Sequence, residues 1–410
     1  MKQQEIIPHL FRAEFSKITT VLCKYFGIKY IEVAEDIASD TFLLAIETWS
    51  FKGLPPNPTA WLYSVAKNKA KNYMHRNHLF SEVIAHQLKI TSSQTEEIEI
   101  DLSQKNITDS QLQMLFAICH PSISTESQIG LSLRILCGFG IDEIANAFLT
   151  SKETITKRLF RAKEKLRFEK MQIEFQPQTE IYKRLETVLK TLYLLYNEGY
   201  YSESQDIILR KDLCLEAMRL TYLLIENEMT NLPAVNALYA LMCFHSSRFD
   251  ARKNENGELV LYQDQDETRW NHELISKGVY YLSNSSKGEK ITKYHLEASI
   301  AYWMTIKIDT PEKWENALQL YNQLLILEYS SIAALNRAFV FSKVYGKSAG
   351  IKETEKLNLQ DNHFYFTLLG ELYIEVDKQK AEQCFQKAIS LAKTHTDRQT
   401  IQKKIDTLYL

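Results

Sequence analysis

Apolar residues recur at helical spacing along most of this chain. Two stripes of this kind follow each other between Ile141 and Arg167, first on a short segment and then on a longer, basic one. Only 12 glycines and 8 prolines interrupt the 410 residues, and runs that alternate between apolar and polar residues are scarce. The pattern therefore predicts an all-α fold.

Helical periodicity is lost at two places, which divides the chain into domains. One is the acidic stretch between Ser92 and Asp109, and the other is the Gln-Pro-Gln sequence at 176–178. The length favours two to four domains. We predict a helical domain over residues 1–90, a linker over 91–110, a second helical domain over 111–172 and a large helical domain over 178–410.

The last of these domains contains faint internal repetition. Ala317, Ala349 and Ala381 are 32 residues apart, and Tyr321 and Phe385 each follow an alanine of this set by four residues. Small residues at such intervals are typical of tetratricopeptide-like arrays of paired helices. The single short strand that we predict lies at 258–262, after an Asn-Gly turn.

Composition and charge exclude several classes of function. The formal net charge of −2 argues against a polycation that coats nucleic acid or an anionic membrane without selectivity. Six scattered cysteines without a C-x-x-C pair favour neither a zinc site nor a disulfide framework. With no apolar run near 18 residues and no signal peptide, we expect a soluble, cytoplasmic protein that does not contact membranes.

No arrangement typical of catalysis is present. The chain has no Ser/His/Asp or Cys/His pattern, no glycine-rich phosphate loop and no metal-ligand spacing, so we expect a protein that is not an enzyme and binds no cofactor. The acidic cluster of Asp264, Asp266 and Glu267 lacks the twelve-residue pattern of a calcium loop, and no metal is expected there.

The segment around Lys152–Lys170 concentrates positive charge on one helix. It holds eight Lys/Arg and three Glu, and a T-x-x-E sequence at Thr150–Glu153 predicts a helix start after a tight turn. Four residues recur at spacings of four, three and four, and three further cations broaden this face: Thr154, Arg158, Arg161 and Lys165, then Lys157, Lys163 and Arg167. The pattern predicts a helix-turn-helix whose second helix enters the major groove of DNA, although a solvated surface helix is the alternative.

Two further segments carry a charge bias of opposite sign. Trp61–Phe80 holds lysines, arginine and aromatic residues without any acid, as suits unstacked nucleic acid, although Trp61, Val65 and Tyr73 are also candidates for the core. Just before it, Ile31–Trp49 places acidic residues beside apolar ones, which suits docking onto a basic partner helix.

Three segments together resemble the sigma-70 family of RNA polymerase sigma factors, in the extracytoplasmic-function type. AEDIASDTFLLAIETW, NPTAWLYSVAKNKAKNYMHRN and GFGIDEIANAFLTSKETITKRLFRAKEKLR are similar to its polymerase-binding, −10-reading and −35-reading segments, in family order. The resemblance covers Leu10 to about Lys170. It implies core RNA polymerase, through the β′ clamp helices and β flap, and promoter DNA as partners.

The resemblance also implies roles for individual residues. Polymerase would be bound by Glu35, Asp36 and Asp40. The −10 element would be contacted by Lys67, Asn68, Lys71, Asn72, His75 and Arg76, and the loop Phe51–Pro58 would frame a pocket for a flipped base. The −35 element would be contacted by Ser151, Thr154, Lys157, Arg158, Arg161 and Lys165.

The remaining 230 or so residues resemble a tetratricopeptide-like extension found in one subgroup of these factors. The resemblance implies that the extension regulates the factor or is needed for its activity, with a regulatory protein or small ligand as its partner. One set of residues would form a polar network that holds a loop or contacts that partner: Arg248, Arg252, Gln265, Asp266 and Trp270.

Two other functions remain open from the sequence. The first is a helix-turn-helix regulator with a helical ligand-binding domain, acting on duplex DNA without polymerase. The second is a scaffold whose repeats bind proteins and whose basic helix has no function of its own.

Overall fold

The computed structural model describes residues 3–76, 99–175, 177–200, 210–252, 260 and 262–408. These residues form two compact units, Met1–Leu194 and Leu195–Leu410. The described residues contain helices and no strand, which confirms the all-α prediction. The predicted strand at 258–262 lies mostly outside the described residues, and its last member, Tyr262, begins a short 3-10 turn.

Unit 1 is built from seven helices and the first part of an eighth among its described residues. Their bounds are α1 Gln3–Phe26, α2 Ile31–Lys52, α3 Pro58–Arg76, α4 Gln104–Ile118, α5 Thr125–Leu131, α6 Ile141–Ala147, α7 Lys152–Phe168 and α8 Gln178–Tyr200. A π-helical segment, Ser132–Leu136, follows α5 directly.

Helix α4 begins inside the stretch that the sequence assigns to the linker. Ser103 caps it by accepting a hydrogen bond from the Asn106 amide, and the preceding Ile100 and Leu102 are buried. Burial of these two side chains explains why regular structure resumes before residue 111. Residues 91–98 of the predicted linker lie outside the described residues.

Unit 2 is an array in which consecutive helices pack against each other. The bounds are α9 Lys211–Glu226, α10 Pro233–Ser246, α11 His272–Ser285, α12 Lys293–Trp303, α13 Pro311–Leu327, α14 Ser331–Tyr345, α15 Lys347–Glu355, α16 His363–Tyr373, α17 Lys378–Leu391 and α18 His395–Asp406.

Glycines set the closest helix contacts in this array. A Cβ atom on Gly278 would lie 2.5 Å from the Phe244 ring, and one on Gly370 would lie 2.5 Å from the Phe385 ring. The predicted small-residue contacts hold at Ala317 and Ala381, which are fully buried. At the middle position the small residue in contact is Gly350 and not Ala349, because a Cβ on Gly350 would clash with the Ser342 side chain.

Candidate nucleic-acid interface

Helices α6 and α7 form the predicted helix-turn-helix. The apolar stripe of α7 is buried as predicted, with Ile155 and Leu166 fully enclosed, and Ile144 of α6 is buried with them. The start of α7 differs from the prediction by one residue. Ser151, not Thr150, is the N-cap, and its hydroxyl accepts a hydrogen bond from the Thr154 amide at 3.2 Å.

The predicted −35 residues lie on the outer side of α7. All are exposed except Arg158, which is half-buried with its guanidinium 5.4 Å from the Phe148 ring centroid. No carboxylate of the described residues forms an ion pair with Lys157, Arg158, Arg161 or Lys165. Their positive charge is therefore available to phosphates.

Two cations that the sequence assigned to the same face point elsewhere. Lys163 is buried, and its Nζ forms an ion pair with Glu35 of α2. Arg167 pairs with Glu32 and donates from Nε to the Lys29 carbonyl at 3.2 Å. The physical reason is helical geometry, since residues two apart, such as Arg161 and Lys163, face opposite sides of a helix. The broader basic face predicted for α7 is wrong at these two positions.

The predicted −10 residues lie along α3. Asn68, Asn72, His75 and Arg76 are exposed, whereas Lys67 and Lys71 are half-buried. The aromatic residues of this helix turn toward the core. Trp61 meets Trp49 edge-on with ring centroids 5.2 Å apart, and Tyr73 lies 6.0 Å from Phe26.

Tyr63, on the same helix, donates to the Glu14 carboxylate at 2.6 Å, and burial together with this bond raises the pKa of its hydroxyl. The exposed polar face of α3 therefore consists of amides and cations without stacking aromatic rings, among the residues that the structure describes.

The last turn of α2 presents one large apolar side chain to solvent. This helix extends to Lys52 and so includes Phe51, which the sequence assigned to the loop. Phe51 is 92% exposed, and Gly53 adopts a φ of 78°, which reverses the chain after α2. Asn57 then starts α3 by accepting a hydrogen bond from the Ala60 amide at 3.0 Å. An exposed Phe beside a basic helix suits stacking against an unpaired base.

Helix α2 carries the three acidic residues predicted to bind polymerase, and the structure separates them. Asp36 and Asp40 are exposed on a row that continues with Leu43 and Glu47. Lys69 of α3 lies 3.4 Å from Asp40.

Glu35 is only 6% exposed. It accepts from Arg134 Nε at 2.7 Å and from Lys163 Nζ, so both carboxylate oxygens face cations. In this arrangement Glu35 is engaged within unit 1, whereas Asp36 and Asp40 remain accessible.

The polar network predicted in unit 2 is largely buried. Arg252 lies 4.0 Å above the Tyr200 ring and donates to the Tyr200 carbonyl at 3.3 Å. Gln265 donates to the Val260 carbonyl at 3.2 Å, and Arg248 lies 5.6 Å from the Tyr262 ring. These contacts hold in place the described part of the connection between α10 and α11.

The other two members of the predicted network differ from each other. Trp270 is buried, with its ring 6.3 Å from that of Tyr262. Asp266 is exposed and accepts from the Thr268 amide at 2.9 Å and from the Thr268 hydroxyl at 2.7 Å, and these bonds lower the pKa of its carboxyl group. A partner contact at this loop stays a prediction.

Lysines that the sequence did not single out complete this network. Lys307 donates to the Gln265 carbonyl at 2.8 Å. Lys313 has a fully buried side chain that donates to the Ile306 carbonyl at 2.6 Å and to the Tyr262 hydroxyl at 3.1 Å. The spacing of these two lysines along the sequence gives no sign that they donate to buried oxygens.

In unit 1 a signal for the internal contacts did exist. Arg134 is a lone cation within the apolar run Ile129–Phe139, and Lys163 lies four residues after Leu159 and three before Leu166, at the edge of the apolar stripe. A cation placed among buried positions requires a partner.

Comparison with known proteins gives two matching families. Residues 10–79 match sigma-70 region 2, which covers α2, α3 and most of α1. Residues 184–286 match a family of unknown function (DUF6596). No helix of the described residues is long and apolar enough to cross a membrane.

Two relatives are similar to longer stretches. An uncharacterized protein of Rhizobium meliloti (strain 1021) is 29% identical over 393 residues, which covers 94% of this chain and 92% of the relative. The ECF RNA polymerase sigma-E factor of Haemophilus influenzae is 25% identical over 153 residues, which covers 36% of this chain and 79% of that factor. No solved structure matches. The region 2 match and the similarity to sigma-E together support a sigma factor of the sigma-70 family.

Proposed function

We propose that this protein is a sigma factor that binds core RNA polymerase through α2 and directs it to promoters through α3 and α7. The observation that carries the proposal is a set of four basic residues on the outer side of α7 that pair with no carboxylate in the described part of the chain, although the net charge is near zero: Lys157, Arg158, Arg161 and Lys165. Exposed cations gathered on one helix of a helix-turn-helix suit a DNA contact that is local.

Under this proposal, each exposed surface of unit 1 binds a different partner. The exposed row with Asp36 and Asp40 on α2 binds the polymerase clamp helices. The polar face of α3 and Phe51 hold the melted −10 strand, where a captured base offsets an unstacking cost of a few kcal/mol. The outer face of α7 reads the −35 element. The helical array of unit 2 regulates these activities or binds a regulatory partner.

A transcription assay tests the proposal. Purified core polymerase, the full chain and a library of genomic promoter fragments should yield discrete run-off products that core polymerase alone does not make. Arg158→Gln combined with Arg161→Gln should abolish these products, and Lys152→Gln is the matched control on the same helix. Binding of duplex DNA with no product at any fragment would instead favour a helix-turn-helix regulator that acts without polymerase.

A further inference from the structure

The connection between α10 and α11 buries an arginine without a counter-ion. Arg248 is 9% exposed, and no carboxylate of the described residues forms an ion pair with its guanidinium group. It contacts the His245 ring, whose Nδ1 lies 3.5 Å from Nη2, and the Tyr262 ring, whose centroid lies 5.6 Å from Cζ. Its Nε atom is buried and has no hydrogen-bond partner in the described part of the chain. Because a buried cation without a negative partner is costly, this position favours an anion beside it.

Two further polar atoms of this connection are buried without a hydrogen bond to any described residue. One is the indole Nε1 of Trp270, a residue that is 4% exposed, and the other is Oε1 of Gln265, which is 7% exposed. Buried polar atoms nearly always have a partner, and the few that lack one are candidates for contact with a ligand, ion or water. The connection therefore offers two donors, on Arg248 and Trp270, and one acceptor, on Gln265.

A backbone hydrogen bond brings the two donors together. The Asn271 amide donates to the Ser247 carbonyl at 2.8 Å. The two peptide groups in this bond are the ones that join Trp270 to Asn271 and Ser247 to Arg248, so the two side chains start from neighbouring positions. Both also flank Tyr262, since the Trp270 and Tyr262 ring centroids are 6.3 Å apart and the Arg248 guanidinium lies 5.6 Å from the same ring.

Lys307 adds positive charge at this ring and fixes the acceptor beside it. Its Nζ lies 5.6 Å from the Tyr262 ring centroid and donates to the Tyr262 carbonyl at 3.2 Å and to the Gln265 carbonyl at 2.8 Å. A third cation, Lys313, has the carboxylate of Asp309 at 3.4 Å. Tyr262 and Lys307 are half-buried, which puts this group of side chains next to solvent.

We propose that unit 2 binds a small oxyanion at Arg248 and Trp270, a carboxylate or phosphate whose molecule also carries a hydrogen-bond donor for Gln265. Two donors beside a buried positive charge favour a negatively charged acceptor. The Gln265 oxygen selects a ligand with a hydroxyl group, an ammonium group or a protonated phosphate oxygen. The inference gives a chemical class to the partner that the proposed function assigns to unit 2, and in that respect it rests on that function.

Four anions test the chemistry of the site. Titration calorimetry of the full chain, without polymerase and at constant ionic strength, compares phosphate and lactate, which carry a donor, with sulfate and acetate, which carry none at neutral pH. We expect saturable binding of phosphate or lactate, about threefold or more tighter than that of the matched anion without a donor. The tighter of the two probes identifies the ligand group as phosphate or carboxylate.

Variants assign the binding to this connection. Arg248→Met should weaken binding of the tighter probe about tenfold or more, because hydrogen bonds from a charged donor contribute more than neutral ones. Trp270→Phe keeps an aromatic ring, removes the indole donor and should weaken binding about two- to tenfold. Arg269→Gln removes a positive charge from the exposed surface of the same connection and should bind like the unaltered chain.

Thermal unfolding separates a binding residue from a purely structural one. In chloride buffer, Arg248→Met removes a buried charge that has no counter-ion, so the melting temperature of unit 2 should stay unchanged or rise. In saturating phosphate or lactate the unaltered chain gains stability from binding, and it should then melt above the variant. A variant that melts lower by the same amount in every buffer would make Arg248 a structural residue and overturn the proposal.

The remaining outcomes are equally distinct. The site is overturned by the absence of saturable binding for all four anions, or by equal affinity of Arg248→Met and the unaltered chain. Equal affinity for anions with and without a donor overturns the role of Gln265. Because polymerase is absent from these measurements, binding of the anion by a chain that fails in the transcription assay would overturn the proposed function alone.

Discussion

The two units bury cations in different ways. In unit 1, Lys163 and Arg134 share a buried carboxylate, that of Glu35. In unit 2, buried Lys313 is held by a carbonyl and the Tyr262 hydroxyl, and its nearest carboxylate, on the exposed Asp309, is 3.4 Å away. A buried carboxylate can exchange one cation for another from a partner. The buried oxygens around Lys313 are neutral, and its carboxylate partner, Asp309, lies at the surface. The first arrangement suits a reversible contact and the second a permanent one.

The largest expected difference comes from removing one lysine in each unit. Lys163→Met leaves the Glu35 carboxylate buried beside Arg134 alone, and we expect the folded state of unit 1 to lose about 3–5 kcal/mol of stability. Lys313→Met leaves the Ile306 carbonyl and the Tyr262 hydroxyl without their donor, while the exposed Asp309 keeps Lys343, and should cost about 1–3 kcal/mol. Hydrogen exchange of α2 and α7 peptides, compared with α12 and α13 peptides, measures both. Equal losses of stability in the two units would show that a buried carboxylate and buried neutral oxygens hold a lysine equally strongly.

A change in pH should affect unit 2 through His245. This side chain is half-buried, and desolvation together with Arg248 and Arg252 holds its pKa well below 6.5. The folded state then binds fewer protons than the unfolded state, so stability is present above the unfolded pKa and falls as pH drops below it. Between pH 6.5 and 5 we expect stability to fall by at most about 2 kcal/mol.

Thermal unfolding across this pH range, followed by a probe in unit 2, measures the effect. The variant His245→Gln should flatten the profile. A profile of unchanged steepness in that variant would assign the loss to another group, such as His295, whose pKa burial also lowers.

The outer cations of α7 provide the contrast to Lys163 on the same helix. Arg161→Gln should weaken binding to promoter duplex by about 1 kcal/mol near physiological salt and lower the slope of log affinity against log salt by about 0.9. Fluorescence anisotropy across a salt series measures both values. Stability should not change, because Arg161 is exposed and has no ion pair among the described residues. An unchanged salt slope would remove Arg161 from the proposed interface.

The smallest effect concerns the Thr19 hydroxyl on α1 of unit 1. Thr19→Val replaces a buried hydroxyl that lacks a partner among the described residues with a methyl group of similar size. We expect the folded state of unit 1 to gain about 0.5–1 kcal/mol of stability, since removing an unsatisfied polar group is neutral or stabilising. The melting temperature of unit 1 should rise, with Thr156→Val on the exposed surface of α7 as the control. A lower melting temperature would mean that water satisfies the Thr19 hydroxyl.

Periodicity in the sequence was sufficient for the fold class and for the stripe of Ile155, Leu159 and Leu166, because burial of apolar residues at i, i+3 and i+4 follows from helix geometry alone. The N-cap was misplaced by one residue, since both Thr150 and Ser151 are good caps and only the turn geometry selects Ser151.

The long-range partners of charged residues were harder to foresee. Lys163 and Arg161 are chemically alike in the sequence, yet one meets Glu35, which precedes it by 128 residues, while the other faces solvent. Which carboxylate reaches which cation depends on how α2 and α7 pack, and residue spacing along the chain holds no information about that packing. The same holds for Lys313 and Tyr262 in unit 2.

The most direct test of the account is run-off transcription by core RNA polymerase in the presence of the full chain. The account predicts discrete promoter products that Arg158→Gln combined with Arg161→Gln abolishes and that Lys152→Gln leaves in place. Undiminished products with the double variant would contradict it, because the outer cations of α7 would then not contact the promoter.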